Sequence, residues 1–173
     1  MHVHLDAVGG VAGDMFLAAV LDARPDIEVG VREAVRVAGL PGDWSFEVLD
    51  HMASGLTGRR VAVSGPETAG YDHDHGHGHG HHAPHTFRDI RAQIEASSLS
   101  KGVKHRAVAI FALLAEAEGA VHGKDPEDVH FHEIADWDSL ADIIGAAYVI
   151  DALGAASWSV SVLPMGSGRV KTA

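Results

Sequence analysis

Three stretches of this 173-residue chain hold side chains whose types and spacing could do chemistry. The densest is His130-Phe131-His132-Glu133, followed by Asp136, Asp138 and Asp142. In an extended segment, residues two apart share a face. His130 and His132 are therefore spaced to grip one metal ion, with Glu133 as a third ligand or as a base on bound water. Asp138 and Asp142 are four apart and share one side of the helix that follows. The bland alternative is a capping box of Ser139 with Asp142, and an Asp136 that only caps.

The second stretch is Asp6-Ala7-Val8-Gly9-Gly10-Val11-Ala12-Gly13-Asp14, a strand end, a glycine loop and a helix start. Gly9, Gly10 and Gly13 let backbone amides approach a phosphate, and the helix N-terminus adds partial positive charge. Asp6 and Asp14 flank the loop and would repel a bare phosphate. A divalent cation between carboxylates and phosphates resolves that conflict, so the loop suggests a metal–nucleotide. The alternative is a tight turn with Asp14 as N-cap.

The third stretch holds His73, His75, His77, His79, His81, His82 and His85, seven of the fourteen histidines. Neutral imidazoles bind nickel, copper and zinc well. A segment with no apolar periodicity cannot preorganise ligands for catalysis, so storage or delivery of metal is the function expected here, against a solvated spacer.

The elements that must position these groups follow from periodicity. Val3–Leu5 reads as a short strand. A helix from Asp14 is apolar all round from Met15 to Leu21 and should be buried. A second helix carries Val31, Val35 and Ala38 on one stripe and closes at Gly39 before Pro41. Ser45–Met52 and Leu56–Val63 predict a hairpin turning at Ala53-Ser54-Gly55. Residues 65–85 form a low-complexity, His-rich insertion expected to be a disordered loop. Thr86 is a plausible N-cap. The strongest helix spans about Lys101–Val121, with Val103, Ala107, Ile110, Leu114, Ala117 and Val121 on its stripe. Val129–His132 reads as extended, Ser139–Leu153 as a helix and Trp158–Leu163 as a last strand. The expected class is α/β, a mixed sheet with packed helices, in one domain over residues 1–173.

Composition narrows the function. Thirteen Lys and Arg face 24 Asp and Glu, a formal charge of −11, which opposes a long nucleic-acid track. The cationic points, Arg59-Arg60, the Lys101–Arg106 patch and Arg169 with Lys171, suit an anionic ligand or plain surface charge. Zero cysteines exclude disulfides and thiolate chemistry. No membrane span or signal peptide is apparent, so a cytoplasmic protein handling small molecules or metals is expected. The abrupt end at Arg169–Ala173 suggests a fragment or split gene product.

His4–Leu17, with its glycine loop, resembles the opening of the nickel-pincer cofactor biosynthesis family LarC, the nickel insertion proteins. Val129–Glu133, Asp138-Ser139 and Asp142–Gly145 resemble its second block, and Leu163–Gly168 its third. The resemblance implies nickel insertion into pyridinium-3,5-bisthiocarboxylic acid mononucleotide. It implies CTP with Mg2+ or Mn2+, a cytidylylated intermediate, and a product used by lactate racemase and related enzymes. Many members carry Cys-Phe-Ser-Gly where this chain has Ala7-Val8-Gly9-Gly10, so a thiol or hydroxyl there is not essential to this version. Members continue well past the equivalent of Ala173, so the family's C-terminal portion is an expected partner, with homo-oligomerisation left open. Two rival readings are a non-catalytic nickel metallochaperone and a metal-dependent phosphohydrolase built on His130–Glu133.

Overall fold

The computed structural model describes residues 1–8, 10–65, 86–131 and 137–163. The class is α/β. Strand β1 (His2–Leu5) leads into helix α1 (Gly13–Ala23), and a 3-10 turn at Pro25–Ile27 feeds α2 (Glu28–Val37). Strands β2 (Ser45–Ala53) and β3 (Leu56–Ser64) follow, then α3 (Phe87–Ala96), α4 (Lys101–His122), α5 (Trp137–Leu153) and β4 (Ser157–Val160). Parallel and antiparallel pairing are both present, in two separate pairs: β1 beside β4 in parallel, and β2 against β3 antiparallel.

The hairpin turns on Ser54-Gly55, between the paired Ala53 and Leu56. Both turn residues have positive φ, 51° and 80°, the geometry that matches the twist of the flanking strands. Thr86 caps α3 by accepting the Asp89 N–H at 3.1 Å, and its hydroxyl donates to the Asp89 carboxylate. Ser100 caps α4 by accepting from Val103 at 3.2 Å, and Gly123 closes it in the left-handed region.

Helix α5 is central. It buries Trp137, Leu140, Ala141, Ile144, Gly145, Ala147 and Val149, residues spread around its circumference, and packs against α1, α2 and α4. Its approach to α1 is close because two glycines face side chains across the contact. A Cβ on Gly145 would lie 2.8 Å from Leu17 Cδ1, and one on Gly13 would lie 2.5 Å from Asp142 Oδ2.

Four expectations need correction. The buried line of α4 is Val103, Ala107, Phe111, Ala115 and Gly119, whereas Val121 is 78% exposed. A strict four-residue step drifts around the cylinder, which follows partners that wrap it. Helix α5 starts at Trp137, so Ser139 is interior to it and forms no capping box. Ala12, not Asp14, is the N-cap of α1. Strand β4 ends at Val160 rather than Leu163. The His-rich insertion lies outside the described residues.

Candidate functional site

The glycine loop is tethered at its root. His2 and His4 on β1 hydrogen-bond through their rings to Ser157 and Ser159 on β4, at 2.8–2.9 Å. Beyond the strands, the Ala7 N–H donates to Ser161 Oγ at 2.9 Å, and the Ser161 N–H donates to the Leu5 carbonyl at 2.8 Å. Gly10 then turns the chain at φ +113°, its N–H donating to the Ala7 carbonyl, and Gly13 opens α1. A residue with a side chain is disfavoured at that φ, and at Gly13 it would run into Asp142.

That contact builds the site. Gly13 places the first turn of α1 directly over the Asp142 carboxylate, reached from α5. Asp142 Oδ1 is buried and has no hydrogen-bond partner among the described residues. Burial, then the charge of Asp14, then that of Asp138 push the Asp142 carboxyl up to about 7, and the Asp14 backbone N–H pulls the other way. Asp14 and Asp138 are exposed, each accepting the N–H of the next residue, from Met15 at 2.8 Å and Ser139 at 2.7 Å. Three carboxylates thus share one electrostatic field. Among the described residues, however, no three His, Asp or Glu side chains stand close enough to hold a metal ion by themselves. The arrangement suits a cation that brings further oxygens with it, as magnesium does when one or two carboxylates and substrate phosphates complete its shell.

The other expected site residues divide. Asp6 follows β1, exposed. His130 is exposed between buried Val129 and Phe131, bridging to Thr86, with the Phe131 ring 6.1 Å from that of Phe111. The alternation confirms the extended form there. Gly9, His132, Glu133 and His73, His75, His77, His79, His81, His82 and His85 lie outside the described residues. The structure therefore brings Gly13 and Asp14 to Asp142, in the field of Asp138, which the sequence had left as two separate stretches. The Gly13–Asp142 contact escaped sequence reasoning, since neither residue signals its partner.

Beside Asp14 runs a cleft of about 480 Å³ between the outer face of α1 and β3, its walls including Asp22, His51, Arg59 and Arg60. Arg59 donates to Glu28 at 2.6 Å, and Glu28 also accepts from Arg32 at 2.9 Å. Burial works to raise the Glu28 carboxyl, but these hydrogen bonds outweigh it and hold the group below the usual carboxylate range.

The family model described as nickel insertion protein matches residues 3–173. The chain belongs to the nickel insertion protein family. A relative of that name from Geobacter sulfurreducens is 42% identical over 173 residues, 99% of this chain and 41% of the relative. One from Roseiflexus castenholzii is 39% identical over 171 residues, covering 99% and 40%. The pyridinium-3,5-bisthiocarboxylic acid mononucleotide nickel insertion protein of Akkermansia muciniphila is 39% identical over 167 residues, covering 95% and 39%. The chain thus spans about two-fifths of the length of the curated relatives it matches. No solved structure matches it. No helix among its described residues is long and apolar enough to cross a membrane.

Proposed function

We propose that this chain carries the metal–nucleotide end of an enzyme that inserts nickel into pyridinium-3,5-bisthiocarboxylic acid mononucleotide with CTP as co-substrate. The observation that carries the reading is the half-buried Asp142 carboxyl, with one buried oxygen that has no hydrogen-bond partner among the described residues, set in the field of two more carboxylates. A fold holds such a group at a cost in stability, and a cation is what relieves it. Asp14 and Asp142 would hold Mg2+ or Mn2+. When bound, that ion neutralises nucleotide phosphates and polarises the phosphoryl group under attack.

The chain's own residues do the rest. Gly10 and Gly13 let the backbone come close to a phosphate, and the N-terminal end of α1 adds partial positive charge beside it. Asp138, exposed at the start of α5, adds negative charge that pushes the Asp142 carboxyl up and that a bound divalent cation would offset. Nickel is the substrate here, and the histidines from His73 to His85 have the chemistry to gather it. The mononucleotide brings its own sulfur ligands, so a chain without cysteine suffices. In the longer relatives the remaining length supplies what completes the enzyme, a partner this chain shares. A cytoplasmic location fits a reaction that consumes CTP.

The test is calorimetric titration of CTP with Mn2+ or Mg2+ into the wild-type chain and the Asp14→Ala variant. The reading expects metal-dependent CTP binding that the variant loses. Absence of binding by the wild-type chain would move CTP recognition to the remaining part of the protein and leave this portion as a nickel-handling module.

A further inference from the structure

The cleft beside Asp14 holds a cation that the metal–nucleotide reading does not use. Arg59, on β3, is 26% exposed in its side chain, and among the described residues Nη1 alone is engaged, donating to Glu28. Its Nε and Nη2 hydrogens have no acceptor among the described residues. Glu28 is fixed from the other side by Arg32, whose guanidinium also donates to the Phe46 carbonyl. Two guanidiniums on one carboxylate leave a net positive charge, and the chain of contacts holds the Arg59 fork in place before any ligand arrives. Arg59 lines a cleft of about 480 Å³, within the range of small-molecule sites. Asp22 lines the same cleft, and Ala18 and Ala19 give it an apolar floor without bulk. A site with a positioned guanidinium, a carboxylate and small apolar side chains matches a ligand bearing an anion, a cation and a ring.

We infer that this cleft seats the mononucleotide substrate, with its phosphate on the free donors of Arg59 and its cationic pyridinium ring over Ala18 and Ala19 beside Asp22. The inference rests on the reading that this chain acts on a pyridinium mononucleotide, and it adds the place and the group that selects it. The bound ring then lies alongside the same helix whose first turn carries Asp14, so both substrates of the reaction share α1.

The test uses a stable probe, pyridinium-3-carboxylic acid mononucleotide, and the nucleoside lacking its phosphate, each titrated into the chain in EDTA. The wild type binds the mononucleotide at least tenfold more tightly than the nucleoside, the preference expected of a charge-assisted pair. Arg59→Gln removes that preference. Glu28→Gln breaks the same ion pair and lowers the melting temperature similarly, yet keeps the cation and holds mononucleotide affinity within about threefold. Equal affinity for the two probes, or equal loss in both variants, overturns the proposal, because the second result is what a purely structural Arg59 would give. The measurement excludes metal, so failure of the Asp14–Asp142 site leaves it unaffected. Metal-dependent CTP binding without phosphate preference at Arg59 would sink this inference alone.

Discussion

Replacing Asp142 by Asn keeps the shape of the side chain and removes its charge. The carboxyl is raised from its ordinary 3.8 to about 7, so the folded chain holds this proton over a range where the unfolded chain has lost it. The sign follows: this group costs nothing below about pH 4, and stability falls as pH rises from there through 7. Taken in full, the difference is about 4 kcal/mol. Asp142 is only partly buried, and solvent screening reduces that to about 2 kcal/mol. For a chain of this size, about 2 kcal/mol moves the melting temperature by about 4–8 °C. Thermal melts in EDTA should therefore show Asp142→Asn more stable than wild type by that amount at pH 8, with the gain vanishing near pH 4. A divalent cation at a hundred times its dissociation constant stabilises the wild type by about 2.7 kcal/mol, enough to erase the difference. A variant less stable than wild type at pH 8, or equally stabilised at both pH values, would refute the argument that the site is strained by charge.

Gly13→Ala should destabilise by about 1–3 kcal/mol through the clash with Asp142, and adding Asp142→Ala should return only part of it, because the Asp142 Cβ itself would lie 2.6 Å from the new methyl. A double-mutant cycle in urea checks the coupling. Phe111→Ala should cost about 3–5 kcal/mol, because the ring is fully buried, whereas Val121→Ala, at 78% exposure, should change stability by less than about 0.5 kcal/mol. Thr86→Ala should cost about 1 kcal/mol in chemical denaturation through loss of the α3 cap.

Much of the local structure was legible because local chemistry decides it. Thr86, Gly39 and the Ser54-Gly55 turn each act within a few residues of themselves, and each lies where the sequence placed it. The failures share a cause. The face of α4 depends on what surrounds it, so Val121 is exposed, Leu114 packs against the core only half-buried, and Phe111, Ala115 and Gly119 complete the buried line. Asp14 resembles a helix cap in isolation, but Ala12 takes that position and leaves the carboxylate to face Asp142. Residue type and spacing singled out the acidic and glycine residues, and only packing brought Gly13 against Asp142.

The parallel pairing of His2–Leu5 with Ser157–Val160 also sets the order of events as the chain folds. The first strand leaves synthesis long before its neighbour exists, and closing so large a loop is among the slowest steps available to a chain. Until Ser161 arrives to accept the Ala7 amide, nothing anchors the root of the glycine loop to the far end of the molecule. A nascent chain shorter than this has its histidine-rich stretch already made but its glycine loop untethered. On the proposed function, metal gathering would therefore be available earlier in the life of the molecule than the chemistry that uses it.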